Sequence, residues 1–277
     1  MTPPTVTPPA VDCPAQTLAA RVAALLPARA GTPWTVEPAS AWWSTKPTAR
    51  LAQNGRALIL VAHPWHTEIA WQLPGREPYE PDLRIDALAP DQVAREVLRL
   101  VLPVLDDETG ARGLGPSRIE LLAEIGHAMR AQGAATYERG GLLVDTVTVT
   151  WASGGVRCSA SLHGRNPVCD VQIEGPVRAV ERAVTRFLPG AAPGRPVPGV
   201  RGRLPRRLAA ALARHVDVEQ TAAGGLAFGT GPGPGPYGYA APAADPAARA
   251  HDTVPASVDL HAVGVDFLVS LAPQLAR

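Results

Sequence analysis

The sequence predicts an α+β protein of tandem αβββα units, each an antiparallel meander sheet covered by helices on one face. Three observations carry the prediction. Apolar and polar residues alternate with period two on both sides of short glycine turns. Apolar residues then recur at spacings of three and four immediately after the last strand. The same order of elements occurs at least twice.

The second occurrence is the clearest. Val147, Val149 and Trp151 alternate with Thr146, Thr148 and Thr150, and Ser153-Gly154-Gly155 breaks the run. Val156, Cys158, Ala160 and Leu162 then alternate with Arg157, Ser159, Ser161 and His163. That is a hairpin with one buried face. After a second break at Gly164-Arg165-Asn166-Pro167, the residues Cys169, Val171 and Ile173 continue the pattern, and Gly175-Pro176 ends it. Val177, Val180, Val184 and Phe187 then form one apolar stripe on a helix that must cover the sheet. Residues 117–132, capped at Ser117, supply the leading helix.

The first occurrence follows the same plan. Leu18, Val22, Leu25 and Leu26 mark a short amphipathic helix, and Trp34 to Glu37 a strand. Residues 49–63 form a hairpin about Asn54-Gly55, Thr67 to Leu73 a further strand, and Pro90 to Leu105 the closing helix, with Pro90 and Asp91 suited to its first turn. Here the far face of the sheet carries Ile59 and Val61, so this unit is expected to be buried on both faces and to pack against a further layer. A third, degenerate copy is expected in residues 204–277. Arg207 to Leu212 resembles Arg21 to Leu26, while the Gly/Pro/Ala tract 229–252 reads as a flexible loop without a strand. The domain reading is therefore a disordered arm 1–14, unit one 15–112, unit two 113–190, a linker 191–203 and the third segment 204–277.

Composition excludes more than it assigns. A formal net charge of +1 gives no global attraction to nucleic acid or membrane. The single lysine, Lys46, among 26 basic side chains reflects a GC-rich genome rather than selection for phosphate binding. No apolar run approaches the ~20 residues of a membrane span. The Thr/Pro-rich start lacks the features of a signal peptide, and three cysteines without an export signal point to reduced thiols in a cytoplasm. No G-x-S-x-G, H-E-x-x-H or CxxC motif is present, and the glycines of 229–238 lack a P-loop lysine.

Two local clusters are candidate sites. His63, Trp65, His66 and Glu68, with Trp42 and Trp43, concentrate imidazoles, a carboxylate and indoles in one stretch, which suits a ligand-binding groove, while the plainer reading is a hydrophobic core with two surface histidines. Arg201, Arg203, Arg206, Arg207 and Arg214 form a basic run, with Arg195 before it, that could neutralise phosphates. Cys158 and Cys169 share the parity of Trp151 and Ile173 and are core residues, whereas His163 points the other way. Asp106-Asp107-Glu108 reads as a solvated loop past a helix end. No residue is assigned a catalytic or metal-ligating role, and no cofactor is predicted.

The hairpin turns Asn54-Gly55-Arg56 and Gly154-Gly155-Val156, the Pro64-Trp65-His66 step and the closing helices from Pro90 and Pro176 resemble a family of actinobacterial proteins built from duplicated domains of unknown function. That family is common on plasmids and integrated mobile elements, and the resemblance covers residues 17–190. It implies a mobile-element setting and no activity. The functional expectation is a noncatalytic binding or regulatory protein acting through contacts with protein, self or other. The alternatives are a nucleic-acid-binding accessory protein using the arginine run, and a metal-dependent enzyme centred on His63, His66 and Glu68.

Overall fold

Strand pairing organises the chain into two antiparallel sheets, of five and eight strands, in an α+β architecture. The computed structural model describes residues 14–276 apart from positions 114, 141–144, 165–166, 193–195, 231–234 and 243–250. The expected disorder of the arm therefore concerns residues outside those described, up to position 13, and Pro14 already opens a helix. Contacts divide the chain into two compact units, residues 1–94 and 95–277.

The first unit starts with α1 (Pro14–Leu25) and continues into β1 (Thr35–Pro38), β2 (Thr48–Gln53), β3 (Arg56–Ala62), β4 (Thr67–Gln72) and β5 (Leu83–Ile85). The strands form a simple meander in chain order. Asn54 (φ 46°) and Gly55 (φ 79°) are both left-handed, the backbone that a two-residue hairpin turn needs to match strand twist. Helix α1 buries Ala15, Leu18, Ala19 and Val22 against β1, β2 and β3, while Leu25, expected on that stripe, is exposed. Ile59 and Val61 are both buried, as are Leu58 and Leu60 with the opposite parity, so β3 is covered on both faces as the sequence predicts. The loop after α1 is tied to the hairpin by Gln53, whose Nε2 donates to the carbonyls of Pro27 (3.0 Å) and Thr32 (2.7 Å).

In the second unit a long helical run comprises α2 (Pro90–Glu96), which starts in the first unit, a π-helical turn at Val97–Val101 and α3 (Leu102–Ala111). Pro103 has no N–H to offer the preceding turn, and the ladder widens there, with the Leu102 N–H reaching the Val97 carbonyl. The extra residue shifts the apolar phase by one. The buried positions run Val93, Val97, Val101 and Leu105, where an uninterrupted apolar stripe would continue from Val97 to Leu100 and Val104. Asp106, Asp107 and Glu108 lie inside α3, and Asp106 is buried, which corrects the solvated-loop reading: Pro103 near the start of α3 renews the helix instead of ending it.

Next come α4 (Arg118–Ala131), β6 (Thr136–Arg139), β7 (Thr146–Ser153), β8 (Val156–His163), β9 (Val168–Pro176) and α5 (Val177–Val184). Ser117 caps α4 as expected: its Oγ accepts from the Glu120 N–H (3.3 Å) and its own N–H donates to Glu120 Oε2 (2.7 Å). The chain closes with α6 (Arg203–Leu212), β10 (Val218–Gln220), β11 (Leu226–Phe228), β12 (Tyr237–Pro242), β13 (Pro255–Gly264) and α7 (Val265–Leu275). The order across the sheet is β10-β11-β12-β13-β9-β8-β7-β6. The segments read as units two and three are thus joined edge to edge through β13 and β9.

Strand β12 corrects the reading of residues 229–252 as strandless. Its small residues answer to close packing: a Cβ on Gly238 would sit 2.3 Å from the Asp259 carbonyl oxygen and 2.8 Å from Phe228 Cζ. Composition alone makes such a strand look like a linker. Helices α4, α5, α6 and α7 contact strands of this sheet, whose inward row includes Val149, Ala160, Val171 and Leu260. The opposite row, including Thr148, Ser159, Gln172 and Asp259, is at least partly solvated.

Candidate functional site

The hairpin between β3 and β4 builds the site. Ala62 pairs with Thr67, so the next residues outward, His63 and His66, oppose each other across the two-residue turn Pro64-Trp65. The His63 N–H donates to the His66 carbonyl (3.0 Å) and closes the turn. Directly opposed residues project to the same face, and the two imidazoles accordingly stack, with centroids 4.3 Å apart and planes 8° from parallel. Glu68 lies two residues beyond His66, hence on the same face. Its carboxylate reaches both rings: Oε2 is 2.9 Å from His63 Nε2 and Oε1 is 3.5 Å from His66 Nε2.

A second loop completes the group. Ala41 and Ser44 form an isolated bridge, which makes a tight turn of Trp42-Trp43. Trp43 Nε1–H donates to Glu68 Oε2 (3.2 Å), while Trp42 faces solvent. Desolvation pushes the Glu68 carboxyl upward, but the His63 ring, then His66 and the Trp43 indole, outweigh it and hold the group below its ordinary value. The side chains of His63, His66 and Glu68 are only 18%, 15% and 18% exposed. The bare distance of His63 Nε2 from the carboxylate suggests a hydrogen bond, yet the approach is too oblique for one, and the buried nitrogen has no hydrogen-bond partner. The donor atoms of all three residues lie within 4.8 Å of one another.

The six residues singled out from the sequence therefore behave in two ways. His63, His66, Glu68 and Trp43 converge. Trp42 and Trp65, on the same two loops, are 85% and 84% exposed. The reading of this stretch as two surface histidines over a hydrophobic core is corrected, since both imidazoles are largely shielded and face one carboxylate. The signal was the two-residue turn, which fixes the histidines as a cross-strand pair.

The arginine run is dispersed in its duties. Arg207 donates through Nε and Nη2 to Glu181 (2.8 and 2.9 Å) and through Nη1 to Asp252 (2.7 Å). The bond to Glu181 and then the one to Asp252 raise its pKa above the ordinary arginine value. Arg206 Nε donates to the Val200 carbonyl (3.0 Å). Arg201, Arg203 and Arg214 are exposed, with Arg201 lining an open cleft beside Gln220, Tyr239 and Asp259. Arg195 lies outside the described residues. Cys158 and Cys169 are buried and free, as parity predicted.

The open face of the eight-stranded sheet holds a row that the sequence did not reveal. Thr146 Oγ1 is 3.0 Å from His163 Nδ1, and His163 Nε2 is 3.2 Å from Asp170 Oδ2. Asp170 Oδ1 is 2.8 Å from His261 Nδ1, and His261 packs against Tyr237 and Tyr239. His261 lies at a β-bulge between Leu260 and Val263, where Ala262 takes a left-handed φ of 57°. Parity placed His163 on this face, but no strand was read over residues 255–264, so the approach of His261 on β13 stayed hidden.

No family model matches the chain, and no curated protein or solved structure matches it.

Proposed function

We propose that the protein is a noncatalytic binding protein that engages a partner protein through the loops carrying Trp42 and Trp65. The observation that carries this reading is the exposure of two indoles, 85% and 84%, on loops that are themselves held in place. Trp43 is bonded to Glu68, and the Trp65 turn is closed by the His63 to His66 backbone bond. Large aromatic side chains on a held backbone lose little conformational entropy on docking and are typical anchors of protein interfaces. The acid partners of Arg207 weigh against the nucleic-acid alternative, because they neutralise a charge that it needs. The same reading takes the chain as repeats of one module, supported by the shared order of a helix, four strands and a helix from α4 to α5 and from α6 to α7.

Affinity capture from the native host, with the full chain as bait and with and without nuclease, tests the proposal. The partner should survive nuclease treatment and be lost when Trp42→Ala and Trp65→Ala are combined, each anchor accounting for about 2 kcal/mol or more. A capture unchanged by both substitutions, or abolished by nuclease, overturns it.

A further inference from the structure

We infer that His63, His66 and Glu68 bind one divalent transition-metal ion of the zinc class. The site stands independently of the partner reading. Two imidazoles and one carboxylate offer donor atoms within 4.8 Å of each other. This mixed nitrogen and oxygen set suits Zn²⁺ or Co²⁺ and does not suit Mg²⁺ or Ca²⁺, which take oxygen ligands.

The bland alternative is an ion pair between Glu68 and its two histidines. It leaves His63 Nε2 buried without a hydrogen-bond partner, at a contact distance of 2.9 Å from a carboxylate that it meets obliquely. A metal ion satisfies that nitrogen, because a lone pair can then point at the ion instead of past the carboxylate. It also reconciles two rings that otherwise compete for one anionic group. The rings lie 4.3 Å apart and nearly parallel, so a shared ion requires them to tilt toward each other within a turn of two residues.

The surroundings match a metal ligand set. Trp43 Nε1–H holds the carboxylate through Oε2 at 3.2 Å, as hydrogen-bond donors outside a ligand set commonly do. Three protein ligands leave a fourth position open. The exposed Trp65 adjoins His66, and the exposed Trp42 adjoins Trp43, which donates to Glu68, so an ion here would brace both indole-bearing loops.

The test uses the full-length chain, stripped with a chelator and then dialysed against Zn²⁺, Co²⁺ or Mg²⁺ alone. Metal content and calorimetry should show one Zn²⁺ or Co²⁺ retained per chain and no Mg²⁺, and the Co²⁺ form should show visible absorption of a low-coordinate ion. His66→Ala and Glu68→Gln should abolish retention, and Trp43→Phe should weaken it about tenfold, with circular dichroism reporting folding. Failure of the unaltered chain to retain Zn²⁺ or Co²⁺, or a stoichiometry unmoved by a folded His66→Ala variant, overturns the inference. If the variants unfold, the Co²⁺ spectrum and metal content of the unaltered chain still decide. No partner is present in these measurements, so their failure leaves the docking proposal to its own test.

Discussion

Burial sets the chemistry of the two described cysteines. Desolvation pushes the Cys158 thiol up to about 12, and Cys169 goes higher still through burial and then the neighbouring Asp170 charge. The thiolate is the reactive form, so neither residue should alkylate in the folded chain at pH 8, and both should after denaturation. Peptide mapping by mass spectrometry checks this, and rapid native labelling of Cys158 would contradict it. Strand alternation alone made both residues legible as core. The histidine site was only half legible, because its geometry depends on which residues face each other across Pro64-Trp65 and on Trp43, which arrives from 25 positions away. No local pattern encodes that approach.

Hairpins at Asn54-Gly55 and Gly154-Gly155 were readable in the sequence because left-handed turn positions demand glycine or asparagine. The π-helical turn was not. A period of 3.6 cannot announce where it gains a residue, and only the buried positions from Val101 onward reveal the slip. Strand β12 shows the opposite failure, a composition that looks loose because the packing is tight. Gly238→Ala should separate β12 from β13 and cost about 1–3 kcal/mol, measured by chemical denaturation. An unchanged midpoint would mean that the Asp259 carbonyl gives way without effect.

Across the whole molecule, the sequence conveyed antiparallel sheets with helices beside them and missed how the strands of the larger sheet combine. The polar outer row of β7, β8 and β9 follows from which residues alternate, and the double burial of β3 from an apolar run that does not. Edge pairing between β9 and β13 leaves no such trace, since backbone groups make it and side-chain patterns do not specify it. That seam runs from Pro255 opposite Pro176 to Gly264 opposite Val168, joining strands almost ninety positions apart in the chain.

During synthesis, β9 leaves the ribosome long before the strand that will cover its outer side. Until then it presents a row of unpaired amides and carbonyls, the kind of edge that recruits other chains. A fragment spanning 95–190 is expected to self-associate in light scattering with size-exclusion chromatography, its β9 pairing with that of a sister molecule, whereas a monomeric fragment would show that the edge protects itself. Nascent chains would then depend on rapid completion, or on a chaperone, at the moment when half of the large sheet exists.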